Sequence, residues 1–500
     1  MCLVSNTSAW LEALAQHAAK RPHAIAVQDV SPHGHITQTT TWQELVVGAQ
    51  TRANLLVIAA PPGSAILTAL TSGTELAIWF AGAIAAGVRL VMMHPKSGPS
   101  ECAAVCERTN IKAALASAQI LTKLRVKVTS IDCHPLAQPL DYPSNHVSGL
   151  LQQPHSPGAI VLGSSGTTGL PKLVLRESPA LDADARAVKV GLSLSKDDCV
   201  LCIPPLSHSY GVDLLLGTLF AGATLRIMTD FDPCGVVHQL ANGITVLPGV
   251  PFVYESLARL AASDLENPPI HGLRLAISAG SPLTARVRKE FTDHWNIPIG
   301  QLYGATELGT VSVSTPGEPG FDVETIGAPL PGVSFRVLDV DDPSRLLSPG
   351  EIGQLAVRAP SMLSGYIDGD LELIDGHLLT GDLARQDDRG QTTLTGRLKL
   401  LIDIGGFKVN PLEVETTLLE HPEVAQCAVL PLELSDTIHR LSALVVARDP
   451  AKPPVASELR RFMRERLAPI KIPRNFEIVD SLPRSALGKL LRDHLIKGKI

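Results

Sequence analysis

The chain has 500 residues, 45% hydrophobic and 18% charged, with 43 basic against 49 acidic side chains and a formal net charge of −6. Its length asks for more than one domain, and its apolar content excludes a disordered chain despite 40 glycines and 38 prolines. The near balance of charge and the scarcity of aromatics (Trp 4, Tyr 5, Phe 10) exclude a basic nucleic-acid footprint and base-stacking platforms.

Met1 to Trp10 lacks a basic start followed by an apolar core, so no signal peptide is expected. Thr41 and Glu44 form a capping box that predicts a helix over 41–54. A strand over 64–69, a buried helix over 74–86 and a strand over 89–93 follow. The run Leu76 to Val88 is too short to span a bilayer and reads as that buried helix. A helix over 101–109 and a short apolar segment over 112–116 complete a βαβ rhythm, which implies a mainly parallel sheet. The rhythm returns in strand 199–203, helix 211–221, strand 224–228, helix 235–242 and strand 245–247.

Eight cysteines are too sparse for a disulfide scaffold, so a reducing cytoplasm is the default location. Cys102 and Cys106, at i,i+4 spacing, and the Cys199-x-x-Cys202 pair read as small buried hydrophobes, since no second pair completes a zinc site.

After Thr325, short β-like runs (335–338, 353–357, 378–379, 392–394) are separated by Pro349-Gly350 and Asp388-Arg389-Gly390, which suggests an antiparallel β subdomain. From Gly396 a mixed pattern continues: helix 411–419, strands 425–430 and 441–446, helix 457–467 and strand 475–479. The fold class is therefore α/β: a large N-terminal domain of α/β subdomains plus a small β subdomain over 1–396, and a small α+β C-terminal domain over 397–500.

Five clusters carry the chemistry. In Gly163-Ser164-Ser165-Gly166-Thr167-Thr168-Gly169-Leu170-Pro171-Lys172, small residues let backbone N–H groups converge on an anion, with hydroxyls and a lysine adding to them. The β-formers after Lys172 place this loop between two strands, unlike a Walker loop that opens a helix; alone it reads equally as a solvent turn. The second cluster, Leu302-Tyr303-Gly304-Ala305-Thr306-Glu307, joins an aromatic face to a hydroxyl and a carboxylate; its plainer reading is a helix start with Thr306 near the cap. The third, Leu379-Thr380-Gly381-Asp382, sets a carboxylate in a tight turn, or is merely a hairpin. In the fourth, Gly396-Arg397-Leu398-Lys399 leads to Gly405-Gly406 and Asn410-Pro411, with Asn410 as N-cap and Pro411 at N1. The fifth, Pro483 to Arg492, encloses Gly488-Lys489 and would alone be a basic tail.

In this order and at these separations, the clusters resemble the adenylate-forming superfamily: acyl-CoA synthetases, peptide-synthetase adenylation domains and luciferases. The resemblance covers essentially the whole chain, following the first 130 residues only in general pattern. It implies an AMP-forming acid–thiol ligase that uses ATP, Mg²⁺ and CoA. By the resemblance, Ser164, Ser165, Gly166, Thr167, Thr168, Gly169 and Lys172 would hold the β- and γ-phosphates of ATP. Tyr303 would stack on adenine opposite the Gly280-Ser281-Pro282 turn that begins the next helix, with Gln301, Leu302 and Gly304 on the adenine-facing strand. Thr306 would contact the α-phosphate, Glu307 would help hold Mg²⁺, and Asp382 and Arg397 would bind the ribose. Lys489 would bridge the substrate carboxylate and the α-phosphate. Lys399 would be the hinge about which the small domain turns, bringing Gly405 and Gly406 to line a CoA pantetheine slot. His208 would gate an acyl pocket shared with Tyr210, Ser278, Ala279 and Gly304, or would simply cap the helix that follows it.

The chain departs from the family pattern at Leu173, Leu400, Leu378 and His94-Pro95, and none of these removes a residue assigned to chemistry. No aspartate precedes the 211–221 helix where amino-acid-activating members place one. The expected partner is a small carboxylic acid, with no nucleic acid and no membrane span. The leading reading is a carboxylate–CoA ligase acting through an acyl-adenylate. One alternative transfers the acyl group to an acyl carrier protein's phosphopantetheine, and another is a nucleotide- or acyl-binding protein without turnover. Luciferase-like oxygenation has no specific support.

Overall fold

A computed structural model describes residues 8–111, 113–116, 118–124, 129–131, 156–164, 171–264, 272–318, 321–404, 407–435, 438–484 and 490–497. Helix Ala9–Lys20 and strands Ile25–Val30 and Ile36–Thr41 open the fold; the sequence reading passes over all three. Thr41 then caps helix Trp42–Ala59 through the expected box: Thr41 Oγ1 accepts from Glu44 N at 3.3 Å, and Thr41 N donates to Glu44 Oε2 at 2.8 Å. The helix runs past its expected end at Asn54. The apolar run forms helix Thr74–Ala86, buried almost throughout and packed on Trp42–Ala59. Gly82 permits that contact, since a Cβ there would stand 2.9 Å from Ala49 O. Among the described residues no helix is long and apolar enough to cross a membrane.

Two large sheets carry the body. The eight-stranded sheet runs in the order Gly309–Ser314, Ile299–Ala305, Leu275–Ser278, Val246–Gly249, Cys199–Cys202, Thr224–Met228, Ile25–Val30, Ile36–Thr41. Its interior pairs are parallel and both edge pairs antiparallel. The seven-stranded sheet runs Gly365–Tyr366, Lys172–Glu177, Ala159–Ser164, Arg89–Met92, Ala65–Thr68, Ala113–Leu115, Thr129–Ile131. Ala159–Ser164 and Lys172–Glu177 are antiparallel neighbours with Ser164 opposite Lys172, so the Ser/Thr/Gly loop does join two strands.

Helices Ser178–Gly191 and Ser209–Ala221 pack together between the sheets within the largest apolar cluster, the former on strand Gly309–Ser314. Gly217 makes this possible, because a Cβ there would reach Val188 Cγ1 at 2.2 Å. A buried ion cluster crosses the junction. Arg176 Nη2 donates to Asp184 Oδ2 at 2.6 Å and its Nη1 to Asp213 Oδ1 at 3.2 Å, while Thr310 N donates to Asp184 Oδ1 at 3.0 Å. All four residues are at most 3% exposed.

The expected antiparallel β subdomain is a four-stranded sheet, Ser334–Leu338, Gly353–Arg358, Leu378–Gln386, Thr392–Arg397. The remainder has its own apolar cluster, built from the hairpin Ile402–Ile404/Phe407–Val409, helices Pro411–Leu419 and Ala456–Arg464, and the sheet Val424–Ser435, Ile438–Ala447, Asn475–Ile478. Asn410 caps helix Pro411–Leu419 as expected, its Oδ1 accepting from Leu412 N at 3.1 Å.

Three local readings change. Gly280-Ser281-Pro282 does not itself begin a helix; Thr284 caps helix Ala285–Trp295, its Oγ1 accepting from Val287 N at 3.3 Å. The plainer reading of Thr306 as a helix start is replaced by a β turn between Ile299–Ala305 and Gly309–Ser314. Leu379 to Asp382 is not a hairpin but a bulge inside strand Leu378–Gln386: Ala356 pairs Leu379, yet Gln354 pairs Leu383.

Removing one member of a buried ion cluster strands the others in low dielectric. Arg176→Met is therefore expected to destabilise the fold by about 3–5 kcal/mol, read as a lowered denaturant midpoint.

Candidate active site

The bulge sets the centre of the site. Gly381 takes φ +76, which a side chain would disfavour, and this turns Asp382 inward. Thr380 Oγ1 donates to Leu355 O at 2.8 Å and accepts from Asp382 N at 3.1 Å, locking the bulge. Asp382 is 7% exposed and serves two donors: Tyr303 OH at 2.7 Å on Oδ2, and Arg397 Nε at 2.5 Å on Oδ1. Arg397 is the strand partner opposite Asp382, so sheet register alone faces the two charges. Burial works against the Arg397 charge, but the Asp382 carboxylate outweighs it and holds the guanidinium above its ordinary value.

Tyr303 belongs to the apolar cluster beneath the β subdomain, edge-on to Phe335 with ring centroids 6.5 Å apart. Its strand must lie tight against its neighbour, since a Cβ on Gly304 would stand 2.4 Å from Gly309 O. Thr306 and Glu307 fill the turn, which Leu363 N fastens by donating to Glu307 O at 2.7 Å. Glu307 lies within electrostatic reach of Arg397 and of Tyr366. Lys172 Nζ sits 5.0 Å over the Tyr366 ring. Burial, helped by Glu307, pushes the Tyr366 phenol up to about 12.

The structure thus brings together Ser164, Lys172, Tyr303, Thr306, Glu307, Asp382 and Arg397, drawn from both large sheets and the β subdomain. Gly280, at φ +83, Ser281 and Pro282 form an exposed turn after strand Leu275–Ser278. Gln301 donates Nε2 to Val323 O at 2.6 Å, and Leu302 is buried. Ser278 and Ala279 are buried at the end of the adjoining strand, and Tyr210 is buried in the first turn of helix Ser209–Ala221. His208 occupies that helix's N-cap position, as the plainer reading has it, without a side-chain hydrogen bond to the helix's first turn. Lys399 lies in the short 3₁₀ turn Leu398–Leu400 directly after Arg397. Ser165, Gly166, Thr167, Thr168, Gly169, Gly405, Gly406 and Lys489 lie outside the described residues.

Sequence reading misses Tyr366 and a clamp beside Lys172. Arg108 donates to both carboxylate oxygens of Asp368, at 2.5 and 2.6 Å, and to Pro171 O at 2.8 Å, tying the loop's far end to helix Pro99–Thr109. No local pattern marks a contact between residues so distant in the chain; Gly365-Tyr366 beside a strand was the available signal.

Glu307 offers hard carboxylate oxygens, and among the described residues no three His, Cys, Asp or Glu converge as a metal cage. Such oxygens are the kind that hold magnesium together with the phosphates it accompanies.

Known proteins resemble this chain over most of its length. A family model described as AMP-binding enzyme matches residues 14–367, and one described as AMP-binding enzyme C-terminal domain matches 413–489. A malonate–CoA ligase of Arabidopsis thaliana is 29% identical over 373 residues, covering 68% of this chain and 60% of that protein. The chain therefore spans about three fifths of that curated relative's length. A 2-succinylbenzoate–CoA ligase of Bacillus licheniformis is 28% identical, covering 85% of this chain and 88% of that one. Among solved structures, o-succinylbenzoate CoA synthetase of Bacillus subtilis in complex with its acyl-adenylate intermediate superposes with TM-score 0.82 at 25% identity, over 97% of both chains. ATP-bound MatB of Rhodopseudomonas palustris shares the fold, with TM-score 0.84 at 24% identity over 98% of both chains.

Burial, reinforced by Asp382, holds the Tyr303 phenol well above its ordinary value near 10. The folded state thus keeps this proton while the unfolded chain loses it. The associated stability is full below about pH 10 and falls as pH rises beyond it. At about pH 11, Tyr303→Phe should leave tyrosinate absorbance of the folded protein unchanged, because Tyr303 contributes none.

Proposed function

The chain belongs to the family of AMP-binding enzymes, and from that premise we propose that it is an ATP-dependent carboxylate–CoA ligase acting through an acyl-adenylate. The observation that carries the reading is the Tyr303–Asp382–Arg397 constellation set beside Glu307 and Lys172. An acceptor-only carboxylate flanked by donors suits a ribose diol, and an exposed lysine at the end of the Ser/Thr/Gly loop suits phosphate. The names of relatives, acid–CoA ligases for malonate and 2-succinylbenzoate, support the same reaction class.

In the first half-reaction a substrate carboxylate oxygen attacks the α-phosphorus and pyrophosphate leaves. The barrier is largely charge repulsion and positioning, so the protein's part is to orient and to neutralise. Asp382 and Arg397 hold the ribose, Tyr303 supports the adenine, and Thr306 meets the α-phosphate. Gly280, Ser281 and Pro282 form the facing wall, with Gln301 and Leu302 beside it. Ser164 to Gly169 and Lys172 hold the outgoing phosphates, and Lys489 bridges carboxylate and α-phosphate. Glu307 would hold a magnesium ion, which when bound screens charge on the phosphates. In the second half-reaction the CoA thiol attacks the acyl carbonyl and AMP leaves. Residues 397–500 form the mobile unit for this step, turning about Lys399 so that Gly405 and Gly406 replace Lys489 at the site. His208 gates the acyl pocket lined by Tyr210, Ser278, Ala279 and Gly304.

A second reading, transfer to an acyl carrier protein, draws support from one surface. Helix Ala456–Arg464 exposes Arg461 and Arg464, and neither has an ion-pair partner among the described residues; exposed Arg474 adds a further cation on the same domain. Acidic proteins suit such a patch. Thioester formation on free CoA compared with a holo-carrier protein separates the two readings.

Carboxylate-dependent exchange of pyrophosphate into ATP, with CoA omitted, tests the shared half-reaction; no exchange with any acid of a broad panel rejects both. Asp382→Asn should weaken ATP binding about 10- to 100-fold, by loss of a charged hydrogen-bond acceptor. Lys489→Ala should lower adenylation about 100-fold or more while still permitting CoA transfer from supplied acyl-adenylate. Equal loss in both steps contradicts the two-state mechanism.

A further inference from the structure

A cation in the last turn of a helix ordinarily does no more than complement the helix dipole, and Arg108 holds that position in helix Pro99–Thr109. Here all three guanidinium nitrogens are directed elsewhere. Nε and Nη2 donate to the two Asp368 oxygens at 2.5 and 2.6 Å, and Nη1 donates to Pro171 O at 2.8 Å. Pro171 immediately precedes Lys172, and Asp368 follows closely after Tyr366, whose ring centroid lies 5.0 Å from Lys172 Nζ. One side chain thus ties the backbone that carries the lysine to the segment that carries the ring beneath it.

Both sides of this tie are firmly seated. Cys102 and Val105 set the helix in one apolar cluster with Leu173 and Ile367. Gly365 and Tyr366 pair with Leu175 and Val174, and Ile367 N donates to Leu173 O at 2.9 Å. The Arg108 hydrogen bonds hold the Asp368 carboxyl below its usual range, so the pair stays ionised wherever an ordinary carboxylic acid substrate does. The ion pair itself adds little to folding, because the Asp368 side chain is 46% exposed. What it limits is where Lys172 can stand. Lys172 is exposed on a flexible stem, and its strand position faces Ser164 across the mouth of the loop. Such a lysine loses rotamer freedom on meeting an anion, and a fixed backbone lowers that cost.

Resting on the adenylating reading of this site, we propose that Arg108 and Asp368 are positioning residues for the β- and γ-phosphates of ATP, acting through Pro171 and Tyr366 to hold Lys172 where pyrophosphate leaves. The hydrogen bonds of the clamp reach neither the Asp382–Arg397 pair nor Tyr303, so its effect is confined to the phosphate end of the nucleotide. ATP and pyrophosphate depend on it; AMP, which lacks both outer phosphates, does not. A residue that only stabilised the fold would affect all three alike.

The test compares calorimetric binding of ATP with Mg²⁺ and of AMP to the full chain, together with KM for pyrophosphate in acid-dependent exchange. Arg108→Ala should raise the Kd of ATP and the KM of pyrophosphate about tenfold. The Kd of AMP and the denaturant midpoint should stay almost unchanged. Arg108→Lys, a point charge without the planar fork, should recover only part of the loss. Asp368→Asn keeps the Pro171 hydrogen bond and changes an exposed side chain, so it carries the same test should Arg108→Ala not fold. It should weaken ATP about threefold with the same selectivity. ATP and AMP weakened alike, or neither weakened, overturns the inference while leaving adenylation intact. A wild-type chain that binds neither nucleotide and exchanges with no acid overturns the adenylating reading and the inference with it.

Discussion

Arg176 is the fastening on which the rest of the site depends. It stands on the strand that leaves the Ser/Thr/Gly loop, and its two carboxylate partners stand on the two helices packed between the sheets. Through Asp184 and Thr310 the same cluster holds the strand that returns from the Thr306–Glu307 turn. Gly309 allows this, because a Cβ there would stand 2.6 Å from Arg176 Nη2 and 2.8 Å from Asp184 Oδ1, at φ +67. Burying these charges is costly, and burial, with Asp184 adding to it, pushes the Asp213 carboxyl well above its usual range. What the cluster supplies is register: two sheets that meet through apolar side chains alone could slide, whereas directional ion pairs admit one alignment.

That alignment explains how groups from separate layers reach one place. The loop lysine comes from the seven-stranded sheet, the Tyr303 hairpin from the eight-stranded sheet, and Asp382 with Arg397 from the β subdomain. Each is positioned by backbone devices rather than by its neighbours in the site. A bulge turns Asp382, strand register faces Arg397, and close strand approach at Gly304 sets Tyr303. Sites held this way are preorganised, so little reorganisation is left for the reaction itself.

Within the elements, local physics was largely legible. The Thr41/Glu44 box, the Asn410 cap and the apolar run over 74–86 depend on contacts within a few residues, and each appears where the pattern places it. Where local cues are ambiguous the reading divides. Tyr303 to Glu307 suits a helix start as well as a strand end, and only pairing with Gly309–Ser314 decides it. Leu378 to Gln386 looked like a short strand and a turn, because a bulge has no hydrophobic period of its own. Helix Ala9–Lys20 went unread although Ser8 is an ordinary cap residue; its burial rests on contacts with Asp182 and Leu216, far along the chain.

The sequence by itself carried the motifs on which the resemblance to the family rests, their order, and the residue types able to meet a nucleotide, since each motif is a run of neighbouring residues. Only the tertiary structure decided that Tyr303 donates to Asp382, that Tyr366 lies under Lys172, and that Arg108 clamps Pro171 and Asp368. It alone decided that the Tyr210 and Ser278 hydroxyls are buried with no hydrogen-bond partner among the described residues. The physical reason is common to all of these. Hydrogen bonds and burial are properties of distances between atoms, and these pairs lie tens to hundreds of residues apart in sequence, where no local propensity can register them.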